Sequence, residues 1–157
     1  MSNDLKVLTW GDYLDEIDTM YLNILERFPI NEPFTICGIS RGGLIPLTVL
    51  ANRFKKKMIE IISIDTYNEA TKELSDLNFH FSSLNTNRLE ETILVIDDLI
   101  DSGKTMNAVI NHIKMLKPNC KIVVAVLYIN NDVKINQNVI FNEMKDPSVW
   151  IQFPYEI

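Results

Sequence analysis

The chain has 157 residues, 46% of them hydrophobic and 23% charged, a balance ordinary for a soluble globular protein and long enough to bury a core without staples. Its formal net charge is −6, with a sequence pI near 4.9, which argues against broad DNA or RNA binding, since that needs a concentrated basic face. No low-complexity tract, internal repeat, secretory leader pattern or bilayer-length apolar run is present, so a single cytoplasmic domain over 1–157 is expected, with no membrane span.

In chain order, the first expected element is a helix starting near Trp10. Tyr13, Leu14, Ile17, Met20, Tyr21, Ile24, Leu25 and Phe28 recur at three- and four-residue steps, Thr9 suits the N-cap and Pro29 ends the pattern. Phe34-Thr35-Ile36-Cys37 reads as a buried strand, Leu44 to Phe54 as a helix, and Met58 to Ile64 as a second strand. A strand–helix–strand unit implies a parallel sheet. The run Lys55-Lys56-Lys57 is expected to be a solvated helix end. From about 65 to 91 the pattern dissolves into polar residues, which suggests a functional lid.

Thr92 to Ile96 returns as a continuous buried strand, ending in Asp97-Asp98. A helix follows over Lys104 to Leu116, with Met106, Val109, Ile110 and Ile113 on one face and His112 off it, at the surface. Lys121 to Tyr128 is another buried strand, and the tail carries Val139-Ile140-Phe141 and Trp150 to Tyr155. Cys37 and Cys120 each sit inside an apolar run, where buried free thiols fit better than a disulfide or a metal site. In an open α/β sheet, ligands bind beyond the carboxyl ends of the strands. Both Ser40-Arg41-Gly42-Gly43 and the segment from Asp97 to Thr105 fall on such strand-to-helix turns.

In Val95-Ile96-Asp97-Asp98-Leu99-Ile100-Asp101-Ser102-Gly103-Lys104-Thr105, a buried strand delivers two carboxylates and a small polar loop then opens a helix. The backbone N–H groups and hydroxyls of that loop suit a phosphate, and the carboxylates suit sugar hydroxyls or a cation. Gly103-Lys104-Thr105 imitates the end of a P-loop, but position 98 would then have to be glycine and is Asp98. Taken alone, Asp97-Asp98 is better read as a cap for the next helix and the start of a turn; the flanking strand, loop and helix reverse that.

The whole string resembles the phosphoribosyl pyrophosphate motif of type I phosphoribosyltransferases. Val7-Leu8-Thr9-Trp10, Ile39 to Pro46, Ser63 to Tyr67 and Trp150 to Glu156 further resemble the xanthine–guanine branch, in the same order along the chain. The resemblance implies an open parallel sheet flanked by helices, a small hood formed by the terminal segments, a flexible lid, and a homo-oligomer, dimer or tetramer. It implies transfer of a phosphoribosyl group from phosphoribosyl pyrophosphate to a purine base, with Mg2+ as cofactor; the net charge of −6 argues against a nucleic-acid partner.

The site residues follow from the same likeness. Asp97 and Asp98 would hold the ribose hydroxyls and magnesium, and Asp101 would accept a proton from the attacking base or orient it; the alternative for Asp101 is a loop cap. Ser102, Gly103, Lys104 and Thr105 would cradle the 5′-phosphate. Ser40, Arg41, Gly42 and Gly43 would form the pyrophosphate loop, and Lys72 stands about where relatives place a basic lid residue. Trp150 and Ile151 would flank the base, Trp150 by stacking or, alternatively, as a hydrophobic plug, whereas Trp10 is taken as structural.

Relatives using guanine or xanthine carry a lysine just after the last central strand. Here Ile129-Asn130-Asn131 stand there and Lys134 lies further on, so Asn130 or Asn131 is the available donor. Two other readings compete: a non-catalytic regulator that senses phosphoribosyl pyrophosphate or a nucleotide, and, on Asp97-Asp98 alone, a phosphoacceptor receiver domain.

Overall fold

A computed structural model of the chain describes residues 4–65 and 78–156. It begins with strand β1 (Asp4–Val7) and helix α1 (Trp10–Arg27), followed by β2 (Thr35–Ser40), α2 (Leu44–Arg53) and β3 (Glu60–Asp65). Next come β4 (Asn78–Ser82), β5 (Thr92–Ile96), the short β6 (Leu99–Ile100) and helix α3 (Lys104–Leu116). Strands β7 (Lys121–Asn130), β8 (Asn138–Lys145) and β9 (Val149–Gln152) complete the chain. None of the described helices is long and apolar enough to cross a membrane.

The central sheet runs β4-β3-β2-β5-β7, with β6 and β8 also paired to β7. Every pairing is parallel except β3 with β4. Strand β5 is buried throughout, and its side chains alternate between the two faces of the sheet. Leu94 and Ile96 join a core with Tyr13, Ile17 and Leu47, while Ile93 and Val95 join one with Val109 and Ile113. Helices α1 and α2 thus cover one face and α3 the other. This double cover explains the unbroken apolar runs of the central strands. The open α/β sheet is the architecture expected from the sequence, and the termini form the small hood through the parallel pair β1–β9, with Leu5 opposite Trp150 and Lys6 opposite Ile151.

Several local expectations are corrected. The lid expected over about 65–91 falls in part on 66–77, outside the described residues, and the remainder is no loose loop. Residues 78–82 form β4 along β3, Leu89 is buried, and the buried Glu60 accepts hydrogen bonds from Ser83 Oγ and, at 3.3 Å, from the Arg88 guanidinium. His112 is not a free surface residue: Nε2 lies 3.0 Å from Ser82 Oγ and the ring packs 4.7 Å from that of Phe79. Lys56 is not simply solvated, since its ammonium donates to the Phe34 carbonyl at 2.7 Å and sits over the Phe34 ring. Trp10, taken as structural, is half exposed at the start of α1 and meets Tyr13 edge-on.

Candidate active site

The site is built where β2, β5 and β6 end. Strands β5 and β6 lie end to end along β7 in one register, Ile96 opposite Ala125 and Leu99 opposite Tyr128. Asp97 and Asp98 occupy the gap between them. Their backbone stays tied to β7: Asp97 N–H donates to the Ala125 carbonyl at 3.2 Å, and the Asp98 carbonyl accepts from Leu127 N–H at 3.0 Å and Tyr128 N–H at 3.2 Å. With the main chain anchored, Asp97 lines one cleft and Asp98 another. Asp97 Oδ1 accepts the Asp98 N–H at 2.9 Å, and Tyr155 Oη donates to Asp98 Oδ2. Burial, and then the neighbouring Asp98 charge, push the Asp97 carboxyl well above the ordinary carboxylate range.

The turn after β2 packs directly on this pair. A side chain at Gly42 would overlap the Asp98 carboxylate, and a Cβ at Gly43 would lie 2.5 Å from the Ile96 carbonyl and 2.7 Å from that of Ile39. Both glycines are therefore required by close approach, beyond any need for a turn. Gly103, at the N-cap of α3, has φ +84°, the left-handed region that favours glycine.

Two clefts meet at Asp101. The first, about 500 Å³, is lined by Ser40, Asp97, Asp101, Ser102, Gly103 and Thr105 among others, at the N-terminus of α3. The second, about 360 Å³, lies under the hood and includes Asp98, Asp101, Lys145, Trp150 and Glu156. Residues from Ile39 to Glu156 thus converge on adjoining clefts. Arg41 and Lys104 have exposed side chains that line neither cleft, and Ile151 lines the second but is 3% exposed and belongs mainly to the core. Trp150 is 58% exposed, so it is no buried plug and its ring is open to a ligand. Lys72 lies outside the described residues.

The sequence assigns no role to Tyr155 or Glu156, and a different one to Asn130. Tyr155 holds Asp98, as above, and stacks on Phe153 with parallel rings 5.5 Å apart. Glu156 Oε2 accepts the Phe153 N–H at 3.0 Å, which closes the terminal turn over the second cleft. Asn130, expected to be available to a base, instead donates through Nδ2 to the Asp101 carbonyl at 2.9 Å and to the Asp101 carboxylate. Lys134 is exposed on a third opening, which shares Asp101 and Ser102 with the first cleft and includes none of the hood residues. The lysine that does line the second cleft is Lys145, on β8. Only a long-range pairing reveals it, because nothing in the local pattern of 138–145 marks it.

A family model described as the phosphoribosyl transferase domain matches residues 6–155. The chain belongs to this family. Among its phosphoribosyltransferase relatives, the chain is 24% identical over 131 residues to a xanthine-guanine phosphoribosyltransferase of Idiomarina loihiensis, covering 83% of this chain and 76% of the relative. Its fold matches a purine phosphoribosyltransferase from Pyrococcus horikoshii Ot3, with a TM-score of 0.78, 23% identity, and coverage of 98% of this chain and 95% of that one. A Helicobacter pylori xanthine-guanine-hypoxanthine phosphoribosyltransferase fits equally, with a TM-score of 0.78, 21% identity, and coverage of 98% and 94%. A phosphoribosyltransferase of this kind uses a divalent cation, and the residues here fit one. Among the described residues no group of three or more His, Cys, Asp or Glu side chains could hold a metal by itself. An ion at Asp97-Asp98 would therefore take one or two protein oxygens and complete its shell with substrate oxygens and water, which is how magnesium is usually bound.

Proposed function

We propose that the protein transfers the phosphoribosyl group of phosphoribosyl pyrophosphate to a purine base, giving a nucleoside 5′-monophosphate and pyrophosphate. The observation that carries this reading is the pair of clefts joined at Asp101: one rimmed by the loop that opens α3 and the other by an exposed indole. In the first, N–H groups and hydroxyls of Ser102, Gly103, Lys104 and Thr105 receive the 5′-phosphate at the positive end of α3. Asp97 and Asp98 hold the ribose hydroxyls. Ser40 to Gly43, pressed against Asp98, offer backbone and the Arg41 fork to the pyrophosphate. Lys72 is assigned to the same anion from the segment outside the described residues.

The purine stacks on Trp150 in the second cleft, with Ile151 beside it, and its nitrogen attacks the anomeric carbon as pyrophosphate departs. Asp101 accepts the proton of the attacking base or orients it. Asp97 and Asp98 would hold magnesium, which supplies charge neutralisation of the leaving pyrophosphate. A cytoplasmic homo-oligomer belongs to the same reading.

Purified protein incubated with magnesium, phosphoribosyl pyrophosphate and a panel of guanine, xanthine, hypoxanthine, adenine and pyrimidines should form a purine nucleoside monophosphate, resolved by chromatography. Asp98→Ala should abolish that product while retaining the fold, because the Asp98 backbone, not its side chain, ties β6 to β7. Near-normal turnover by that variant would refute the assignment. Binding of phosphoribosyl pyrophosphate with no product from any base would point to a sensor.

A further inference from the structure

Lys145 is 7% exposed, yet among the described residues no carboxylate lies within ion-pair distance of its ammonium. Its polar contacts are backbone carbonyls, Val149 at 2.7 Å and Asp146 at 3.4 Å, the second near the limit of a hydrogen bond. The adjacent Asp146 carboxylate is engaged elsewhere, by Ser148 N–H at 2.9 Å and Ser148 Oγ at 2.6 Å. An ammonium carries three donors, so at least one is left for something in the cleft. Burying a cation without a counter-charge is expensive, and a neutral side chain would serve as well to pin the 146–149 turn. The arrangement makes sense when an acceptor arrives with ligand.

The register places this cation. Lys145 lies opposite Asn130 across the β7–β8 pair, and Asn130 spends its amide N–H groups on Asp101. Asp101, Asn130 and Lys145 therefore form a row across neighbouring strand ends, with Asp101 and Lys145 both lining the hood cleft. In a purine, the imidazole nitrogen N7 and the substituent at position 6 share one edge. With Asp101 at the imidazole side, as the proposed function has it, the spare Lys145 donor meets that substituent. A carbonyl oxygen accepts the proton, whereas the amino group of adenine opposes donor to donor.

We propose that Lys145 is the specificity-determining residue of the base cleft, a donor displaced one strand over from the end of β7, and that it selects 6-oxopurines over adenine. This rests on the purine-transfer reading, and the test separates the two. The ratio of kcat/KM for hypoxanthine to that for unsubstituted purine, which lacks the oxygen, should be well above one in the wild type. In Lys145→Met it should fall about tenfold to a hundredfold, the worth of one charge-assisted hydrogen bond. A ratio that Lys145→Met leaves unaltered, or a wild type that prefers adenine, overturns the assignment.

Calorimetric binding of inosine and adenosine 5′-monophosphates to both proteins reads the same contact without turnover. Lys145-dependent preference for the inosine nucleotide, with no transfer to any base, would keep the assignment and sink the transfer reading. Purine transfer without Lys145-dependent discrimination would do the reverse. Should Lys145→Met not fold, Lys145→Gln replaces it, and the wild-type hypoxanthine-to-purine ratio needs no variant: a value near one overturns the proposal.

Discussion

At Gly42 the space a side chain would need is already taken by the Asp98 carboxylate. Gly42→Ala must therefore push Asp98 away from its Tyr155 partner or open the turn itself. Steady-state kinetics should show kcat/KM for phosphoribosyl pyrophosphate lowered by at least about tenfold, since a misplacement of about 1 Å can cost on the order of a hundredfold, with the far-UV circular dichroism retained. Asp97 makes a second prediction, through pH. Its carboxyl is held above the ordinary range by burial and by Asp98, so between its unfolded and folded titrations the native state binds the extra proton. Stability is thus lost as pH rises through that window and does not return above it. In chelator, Asp97→Asn should raise Tm by a margin that grows from mildly acidic to alkaline pH; a margin independent of pH would show that Asp97 is not strained by its charge. The Cys37 thiol, pushed up to about 12 by burial, stays protonated at neutral pH and takes no part in the chemistry.

Helix α1 shows an element specified almost wholly by its own residues. Thr9 Oγ1 accepts the Asp12 N–H at 3.1 Å while Asp12 Oδ2 accepts the Thr9 N–H at 3.0 Å, a complete capping box, and Tyr13, Ile17, Met20 and Ile24 bury one stripe. Thr9→Ala should cost about 1 kcal/mol, a fall of about 2–4 °C in Tm by calorimetry for a chain of this size. Strands β5 and β7 and helix α3 were equally readable, because continuous burial and a 3.6-residue stripe write themselves into composition. Strands β4 and β8 were not. β4 is an exposed edge strand whose Phe79 and Phe81 are 42% and 56% exposed, so no core face shows in its pattern. β8 returns parallel to β7 through 131–137 alone, where a parallel return ordinarily needs a dozen residues and a helix, so Val139-Ile140-Phe141 looked like a tail fragment.

Across the whole molecule, the sheet carries helices on both faces and the first and last strands pair to form the hood that delivers Trp150, Tyr155 and Glu156 to the strand ends. The central strand–helix alternation, the acidic loop 97–105, the glycine turn 40–43 and the aromatic tail were legible in the sequence by itself, because each depends on neighbours within a few residues: burial periodicity, N–H groups that a loop and helix start present together, and glycines that allow close approach. What only the tertiary structure decided are the pairings between distant segments. Asn130 turns to Asp101, Tyr155 takes Asp98, and Lys145 enters the cleft under the hood because β8 lies in one particular register beside β7. A one-residue slip would carry that ammonium to the opposite face of the sheet. Such a register is set by packing over the full chain, so no local pattern around position 145 could have announced it.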